Sequence, residues 1–355
     1  MTASRQFAAR LLLAGAEPTA GRIVSFDIDS TRYGRCDTAE IVLAIDKTKL
    51  AGGAAWFETL SGDDADIVLQ LCDRSARSTS WTTIFHGIVD HVAWSPDDGR
   101  LTLECRDYMA RLVDMRLQSA WLNLTGAELI AAVVASAFLD ASVSMPASMT
   151  GQFWQIEHKR SAVFAQHRFQ TAFDLASFVA REANCDLYAD SKTIVCMPIK
   201  DSSDPAAAVI DLSGLTVARS LSRDCQLGQG LVVHVASWDS RQRTATQIYY
   251  DGRDYSSQAP SGAGIVHSFR VPGRRLDEVR SIALGKYNRI AAHEVSAHVR
   301  LPGQVGFGPR QFVRGVASSG TWASVLSVDA VRSRFSIEHG FVQDATVRSR
   351  SGRAG

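Results

Sequence analysis

The chain has 355 residues, of which 46% are apolar and 21% are charged, so it has enough apolar material for more than one buried core. Lysine and arginine number 38 and aspartate and glutamate 37, which leaves a formal net charge of +1. A chain this close to neutral has no overall attraction for nucleic acid or for an anionic membrane. At roughly 100–200 residues per domain, the length predicts two or three domains.

The first third of the chain has the alternation that is typical of β-strands. Apolar residues occur at every second position in three runs: Val24–Asp29, Ile41–Ile45 and Ile67–Leu71. Such alternation places one side of a strand on a core and the other side toward solvent or a partner. A hairpin is predicted next, with strands Thr83–Trp94 and Arg100–Arg106 joined by a turn at Ser95–Gly99 that contains proline, aspartate and glycine.

The middle third has helical signals. Thr125 and Glu128 have the spacing of a capping box, and apolar residues follow at helical intervals. A second helix is predicted to begin near Thr171 and to end at Asn184, a residue that is common at helix C-termini. A short β segment, Asp186–Met197, comes next. The middle third is therefore predicted to be a mixture of α and β structure.

The last third returns to strand patterns and contains one further predicted helix at about 276–292. The segment Asp201–Pro205 is the clearest linker. The order β, then α+β, then β predicts an α+β fold that is mainly β, with two β modules around a mixed α+β insert. We place the two modules at residues 1–114 and 206–355, and the insert at 115–205.

The candidate metal and catalytic groups do not have the required spacing. His293 and His298 are five residues apart, whereas two metal ligands on one helix need a spacing of four. His86 and His91 are an odd number of residues apart on one predicted strand, which predicts opposite faces. The acidic run Asp63–Asp66 lacks the further ligands of a calcium loop. Since glycine-rich phosphate loops and nucleophile elbows are also missing, we predict no metal, no cofactor and no catalytic residue.

The cysteines and the apolar segments predict a chain without disulfides and without a membrane anchor. The six cysteines are scattered and are predicted to be reduced core residues: Cys36, Cys72, Cys105, Cys185, Cys196 and Cys225. The apolar run Phe7–Gly15 is interrupted by Arg10 and does not fit a signal peptide. The longest apolar stretch, near Ala127–Leu139, contains Glu128 and is too short to span a bilayer.

The hairpin and the segment after it carry a more specific pattern. An aromatic-x-Gly-x-Val strand is followed by a return strand that ends in an aspartate, with a leucine a few residues on: Phe85, Gly87, Val89, Leu101, Leu103, Asp107 and Leu112. This pattern resembles the phage late control gene D family, the baseplate central hub proteins of contractile-tailed, Mu-like phages. Five later segments agree with that family in order and spacing: Thr125–Phe138, Phe173–Ile194, Leu221–Trp238, the predicted helix near Lys286 and Val325–Val347.

The resemblance implies both a fold and an assembly. Each β module would be an antiparallel β-barrel similar to the tail-tube subunit, so three copies would form a pseudo-hexameric ring. Such a homotrimer joins the hexameric tail tube protein to the trimeric spike protein and contacts other baseplate proteins. Genomic DNA passes through its lumen without sequence-specific binding. The same fold also serves non-contractile tails and phage-like particles.

The resemblance further implies where the protein is found and what it lacks. The expected location is the virion, in the tail baseplate of a contractile injection system that is assembled in the host cytoplasm. We expect neither enzymatic activity nor stable membrane anchoring.

Three motif residues have expected physical roles. Gly87 is expected to let a neighbouring backbone or aromatic ring approach its strand closely. Phe85 is expected in the core, and Asp107 is expected to cap the turn or helix after the strand. These roles serve either the fold of the barrel alone or a contact between subunits, and the sequence leaves both open.

Two other functions stand as alternatives. A cell-wall hydrolase could bring carboxylates from distant positions together in space, although the sequence nominates no pair. A glycan-binding or receptor-binding tail module would also be consistent with β modules of near-zero net charge.

Overall fold

The computed structural model describes residues 5–50, 55–75, 80–118, 124–146, 169–202, 204, 207–239, 243–262, 264–271 and 273–349. The strands in these ranges are β1 Phe7–Leu13, β2 Gly21–Thr31, β3 Thr38–Ile45, β4 Asp66–Asp73, β5 Thr82–Ser95, β6 Arg100–Asp107, β7 Asp140–Val143, β8 Cys185–Asp190, β9 Thr193–Pro198, β10 Val209–Asp211, β11 Ala218–Arg223, β12 Leu231–Asp239, β13 Thr244–Tyr250, β14 Tyr255–Ser256, β15 Ile265–Arg270, β16 Val295–Pro302, β17 Phe312–Arg314, β18 Leu326–Ser336 and β19 Gly340–Arg348. The α-helices are α1 Met109–Asp114, α2 Gly126–Ser136, α3 Ala172–Glu182, α4 Cys225–Gly228 and α5 Leu276–Ala291.

Twelve strands form one sheet that includes both ends of the described chain. Its order is β1-β4-β5-β6-β3-β2-β18-β19-β16-β11, and β17 and then β10 are attached beside the start of β18. The first and last thirds of the chain meet where β2 pairs antiparallel with β18, from Thr31 opposite Ala330 to Ser25 opposite Ser336. The predicted α+β fold that is mainly β is confirmed.

The β-strand patterns of the first third are confirmed. The alternating apolar residues of β2, β3 and β4 face one core, in which Ile41, Ile67 and Leu69 have no exposed surface. Strands β5 and β6 form the predicted hairpin. Leu101 and Leu103 of β6 belong to the same core. One side of this group of strands therefore builds the N-terminal core.

Strand β5 contains an irregularity that changes the direction in which its residues face. The pairing with β6 shifts between Val89 and His91, so that His91 lies opposite Glu104 on the outer side of β6. His86 is on this outer side as well. The prediction that His86 and His91 lie on opposite faces is therefore wrong, because one extra residue in a strand reverses the alternation after it.

The insert packs helices and strands around its own core. Helices α2 and α3 each begin with a capping box, Thr125 with Glu128 and Thr171 with Asp174. Each threonine hydroxyl accepts the N–H of its acidic partner, and each carboxylate accepts the N–H of its threonine. Asn184 follows α3 with a φ of +54°, the left-handed conformation that often ends helices. The predicted helix start, helix end and β segment are confirmed, the last as the hairpin of β8 and β9.

The last third contributes to two sheets with separate cores. Strands β12 to β15 form a four-stranded sheet against α5, with Val233, Ile248 and Ile282 in its core. Strands β10, β11 and β16 to β19 belong to the large sheet and surround another core. The helix predicted at about 276–292 is α5. The division into 1–114, 115–205 and 206–355 stays a prediction, and the last of these ranges contains strands of both sheets.

All six cysteines are free, as predicted. Five of them are buried or half-buried, but Cys225 is exposed. The prediction of a core position is wrong for Cys225, because this residue begins the short helix α4 at the surface.

Gly87 allows β5 to lie closely against β6. A Cβ atom at this position would be 2.2 Å from the backbone oxygen of Arg106 and 2.9 Å from the ring of Phe85. Both distances are shorter than any normal carbon contact. Only a residue without a side chain therefore fits between the neighbouring backbone and the aromatic ring.

Gly87→Ala should lower the free energy of unfolding by about 1–3 kcal/mol, the usual range for overpacking. Gly308→Ala is the matched control, because Gly308 has open space around it and no positive φ. We expect the control to change stability by less than about 0.5 kcal/mol. Urea unfolding followed by circular dichroism measures both variants, and equal losses would contradict the close approach at Gly87.

Candidate functional site

The motif residues surround the first hairpin and its continuation into the insert. Phe85, Leu101 and Leu103 lie in the N-terminal core, and Val89 lies at its border. Gly87 and Asp107 lie at the end of the hairpin. Leu112 belongs to the core of the insert. Gly87 and Asp107 lie directly opposite each other in the pairing of β5 with β6. A contact of these residues with a second subunit stays a prediction.

Asp107 ends β6 at the start of helix α1. Its Oδ1 accepts the N–H of Met109 at 3.1 Å, and its own N–H donates to the backbone oxygen of Asp37 at 2.9 Å. Burial, together with the nearby Asp37 carboxylate, raises the pKa of Asp107 to about 7. Hydrogen bonds to the carboxyl from the backbone of Asp37 and Met109, together with the charge of Arg310, oppose this rise only in part. The N-cap residue of α1 is Tyr108, so the buried carboxyl of Asp107 binds the turn that precedes the helix, at an electrostatic cost.

A buried ion pair joins the first β module to the insert. Arg32, in the loop between β2 and β3, donates to both carboxylate oxygens of Asp186 on β8, and the shortest distance is 2.6 Å from Nη2 to Oδ2. The two side chains are only 2% and 9% exposed. Nη1 of Arg32 also donates to the hydroxyl of Ser327 on β18 at 2.8 Å. One side chain therefore links the first module, the insert and the C-terminal part of the large sheet.

A second arginine, Arg310, also contacts both β8 and the residue before Arg32. The guanidinium of Arg310 lies 3.8 Å from the ring centroid of Tyr188 on β8, and its Nη1 donates to the backbone oxygen of Thr31 at 3.2 Å. The N–H of Thr31 donates to Oδ1 of Asp37 at 2.8 Å, and burial raises the pKa of Asp37. We refer to the following residues as the junction cluster: Arg32, Asp37, Asp107, Asp186 and Arg310.

The outer side of the large sheet carries charged side chains on six neighbouring strands. In strand order from β6 to β16, those near the middle of the strands are Arg106, Glu104, Glu40, Asp27, Asp29, Arg332, Arg334, Asp344 and Arg300. We call these nine residues the charged face. Arg22, Arg100 and Arg348 lie on the same side of the sheet, nearer the strand ends. Residues that pair across strands share a side of the sheet, so the apolar residues between them point into the cores.

Ion pairs cross the strands of the charged face. Arg332 binds both carboxylate oxygens of Asp27 at 2.7–3.0 Å, and Nε of Arg300 donates to Oδ1 of Asp344 at 2.7 Å. Arg334 also contacts Asp344. Burial raises the pKa of Asp344, but the hydrogen bonds from Arg300 and Arg334 outweigh this and hold its pKa below the ordinary value. Because pairs this exposed contribute at most about 1 kcal/mol each, their main effect is on the surface potential.

The two halves of the charged face have opposite charge. Among the nine residues of the charged face, four carboxylates accompany one arginine on β6, β3 and β2, whereas three arginines accompany one carboxylate on β18, β19 and β16. Arg22 and Arg100 reduce the negative charge near one end of the acidic half. Glu40 and Glu104 lie directly opposite each other, and no described residue forms an ion pair with either of them. Like charges in such positions repel each other. The acidic half therefore keeps charge that the described chain does not neutralise.

Eight strands of the large sheet form an antiparallel run in the order β5-β6-β3-β2-β18-β19-β16-β11, with free edges at β11 and along the C-terminal half of β5 among the described strands. All six residues of β11 are exposed, and this strand has no second neighbour among the described strands. At the other end, β4 covers β5 only as far as Ile88, so no described strand pairs with the outer edge of Val89–Ser95. Half-buried Val92 and Trp94 on that edge, and exposed Leu221 on β11, lie on the core side of the sheet.

The sequence analysis did not find the junction cluster or the charged face. Alternation placed Asp27 and Asp29 on a polar side of β2, which is where they lie, but it did not show that β18 lies beside them. Arg332 and Arg334 alternate on β18 in the same way. The alternating aspartates of β2 and the alternating arginines of β18 could therefore have been used to predict that these two strands pair.

Outside these two regions, His86 and Tyr108 share one carboxylate. Nε2 of His86 lies 2.8 Å from Oδ1 of Asp66, and the hydroxyl of Tyr108 donates to the same oxygen. Across the part of the chain that the structure describes, no three His, Cys, Asp or Glu side chains form a group able to hold a metal ion. None of the described helices has the length and apolar character needed to cross a membrane.

Comparison with known proteins finds similarity in three dimensions only, since neither a protein-family model nor a curated protein matches the chain. A tail protein from Neisseria meningitidis MC58 has a TM-score of 0.65 at 14% identity, covering 97% of this chain and 96% of that one. The 43 kDa tail protein of prophage MuSo2 from Shewanella oneidensis has a TM-score of 0.62 at 11% identity, covering 96% and 98%. The E. coli c3393 protein, a type VI secretion component, has a TM-score of 0.55 at 10% identity, covering 98% and 78%. These values show a shared fold.

The raised pKa of Asp107 predicts how stability changes with pH. An acid whose folded-state pKa is above its unfolded value of 3.8 stabilises the fold while protonated, and this contribution is lost as the pH rises through about 7. Asp107→Asn should therefore match wild type near pH 4 and become the more stable protein near pH 8. The difference should grow by up to about 1.4 kcal/mol per pH unit. Urea unfolding between pH 4 and pH 8 measures it.

Asp98→Asn, in the exposed hairpin turn, is the control for this experiment. It should follow wild type at every pH, because solvent surrounds this side chain before and after unfolding. A constant difference between Asp107→Asn and wild type across the pH range would contradict the assignment of a raised pKa to Asp107.

Arg32→Met should lower the free energy of unfolding by about 3–5 kcal/mol, because Asp186 would be left as an unpaired buried charge. The double variant R32M/D186L should recover most of this loss, since it leaves neither charge in the interior. Arg35→Met is the control, because its pair with Asp29 is exposed and contributes at most about 1 kcal/mol. Thermal and urea unfolding measure all three, and similar losses in Arg32→Met and Arg35→Met would refute the special role of the buried pair.

Proposed function

We propose that the chain is the baseplate hub of a phage tail or phage-like particle, a homotrimer whose ring joins the tail tube to the spike. The observation that carries this proposal is the eight-strand antiparallel run with two free edges. The proteins that share the fold support a tail role, because two are named as tail proteins and the third as a type VI secretion component similar to phage T4 tail proteins gp27 and gp5. None of the three is named as an enzyme, in keeping with a structural role.

The strand directions are compatible with a closed ring. Neighbours alternate in direction along the run of eight, so the outer strands β5 and β11 point in opposite directions. A copy that is rotated about an axis along the strands keeps these directions, and its β5 edge then meets β11 of the first copy in antiparallel orientation. Val92 and Trp94 would pack near Leu221. The acidic half of one charged face would adjoin the basic half of the next, which adds charge complementarity.

We infer that the two ends of the chain, 1–114 and 206–355, each act as one tube-like barrel. Three copies then present six similar units to the hexameric tail tube, while the three-fold symmetry suits the spike. We assign the charged face to the lumen of the ring. With Arg22, Arg100 and Arg348, this side of the sheet has seven arginines and five carboxylates. Because Arg106, Arg300, Arg332 and Arg334 are paired with carboxylates, little positive charge is left to hold DNA phosphates, and genomic DNA can pass without sequence-specific binding. The protein would then belong to the virion.

Negative-stain electron microscopy of the purified chain, with light scattering for its mass, tests the trimer. We expect three-fold rings with a central hole and the mass of three chains. Two-fold dimers or open filaments would contradict the proposal, because neither closes through a three-fold edge contact. A chain that stays monomeric even after its spike protein is added would also contradict it.

A substitution on β11 tests the edge contact. The N–H of Asp224 donates to Glu294 next to β16, so by alternation the N–H of Leu221 points to the free edge. Leu221→Pro removes that donor without breaking the pairing of β11 with β16. We expect a folded monomer that forms no rings, with the Tm of the wild-type monomer.

Leu221→Val keeps both the N–H and the strand propensity, so it should still form rings. Rings in both variants would show that β11 is not part of the subunit contact. Unfolded Leu221→Pro protein would show instead that the N–H of this residue serves the chain's own sheet.

A further inference from the structure

Phe138 occupies a position at which its side chain buries almost none of its apolar surface. It follows helix α2, and its side chain is 98% exposed. Its φ is +58°, in the left-handed region that glycine adopts readily and that bulky residues adopt only at a cost. Arg310 also has a positive φ, but it gains its contacts in the junction cluster. Among the described residues, no contact compensates in this way for the unfavourable conformation of Phe138, whose side chain is exposed.

The backbone around Phe138 is fixed by hydrogen bonds. The N–H of Phe138 donates to the oxygen of Ala135 at 3.0 Å, and the N–H of Leu139 donates to the oxygen of Val134 at 3.3 Å. This pair of bonds is the Schellman motif, in which glycine usually takes the left-handed position. The exposed ring therefore projects from a defined helix end. Aromatic side chains presented in this way are typical anchors of protein interfaces.

A free strand edge begins two residues after Phe138. Strand β7 pairs in parallel with β9, and the N–H groups of Asp140 and Ser144 donate to that neighbour. In a parallel pair, the N–H and C=O of one residue face the same side and those of the next residue face the other. The backbone groups of Ala141 and Val143 therefore face away from β9, where no described strand lies.

We propose that Phe138 and the free edge of β7 form a docking site for an extended segment of another protein. The segment adds a strand to β7 through the backbone groups of Ala141 and Val143, and an apolar side chain of the segment covers Phe138. The exposed carboxylate of Asp140 forms no ion pair with a described residue and favours a lysine or arginine in the segment. The site lies on the insert and does not depend on the proposed ring.

A second copy of the same chain fits this site less well. Two β7 edges that pair antiparallel would align Ala141 of one copy with Ala141 or Val143 of the other. Phe138 would then lie opposite Ser144, which is polar, or opposite Pro146, whose small ring is exposed and covers only part of an aromatic side chain. The geometry therefore favours a different protein as the occupant.

Photo-crosslinking tests the site in cells that produce the full chain together with its natural neighbours. With p-benzoylphenylalanine at position 138, we expect a crosslink to one other protein, mapped by mass spectrometry to a continuous segment with alternating apolar residues. The same group at Ile337, which is 69% exposed elsewhere on the surface, is the control and should not give this product. The absence of a crosslink from position 138, or a crosslink only to a second copy, overturns the proposal.

Substitutions then separate binding from folding. Phe138→Gly should raise the Tm of the isolated chain by about 2 °C or more, because glycine suits the φ of +58°, and should reduce retention of the crosslinked partner at least tenfold. Ala141→Pro removes a free N–H without breaking the pairing with β9, so it should reduce retention similarly, whereas Ala141→Val should keep it. A lower Tm for Phe138→Gly, or full retention in both Phe138→Gly and Ala141→Pro, overturns the proposal.

These readouts are separate from those of the ring. Loss of three-fold rings with the crosslink retained would count against the hub proposal alone, and rings without the crosslink would count against the docking site alone.

Discussion

The buried ion pair between Arg32 and Asp186 fixes the arrangement of the molecule. A guanidinium that is removed from water is tolerated only when its donors are satisfied. For Arg32 the acceptors are Asp186 and Ser327, which lie 154 and 295 positions away in the sequence, on β8 and β18. If β8 moved, the guanidinium would lose its buried counter-charge, and if β18 moved, one of its N–H groups would lose its acceptor. The position of the insert against the large sheet thus depends on satisfying one charged side chain.

Arginine has a different role on the outer side of the same sheet. Arg300, Arg332 and Arg334 pair with carboxylates that remain in contact with water, where an ion pair adds little to folding. Such pairs mainly determine the potential that another molecule meets at the surface. Because β2 and β18 are neighbours, the acidic and basic halves neutralise each other in the middle of the charged face.

The sequence predicted those parts of the fold whose physical cause is local. The capping box at Thr125 and the alternation in β3 depend on residues a few positions apart, and both are present. The side on which His91 lies depends on how β5 pairs with β6, so alternation alone placed it wrongly. The junction cluster was missed for a related reason, since Arg32 and Asp186 meet only in the complete fold. Only one part of the charged face was predicted. The polar side of β2 follows from alternation within that strand, whereas the pairing of β2 with β18 depends on residues about 300 positions away.

The pairing of β2 with β18 also affects how the chain folds while it is being made. The bond between Asp27 and Arg332 spans 305 positions, so one edge of β2 has no partner until nearly the whole chain has left the ribosome. The N-terminal core can form early, but contacts of such large separation form slowly. During that interval an unpaired strand edge is available to other nascent chains, which is a common route to aggregation. Completion of the sheet by the last strands is therefore the step that protects the first ones.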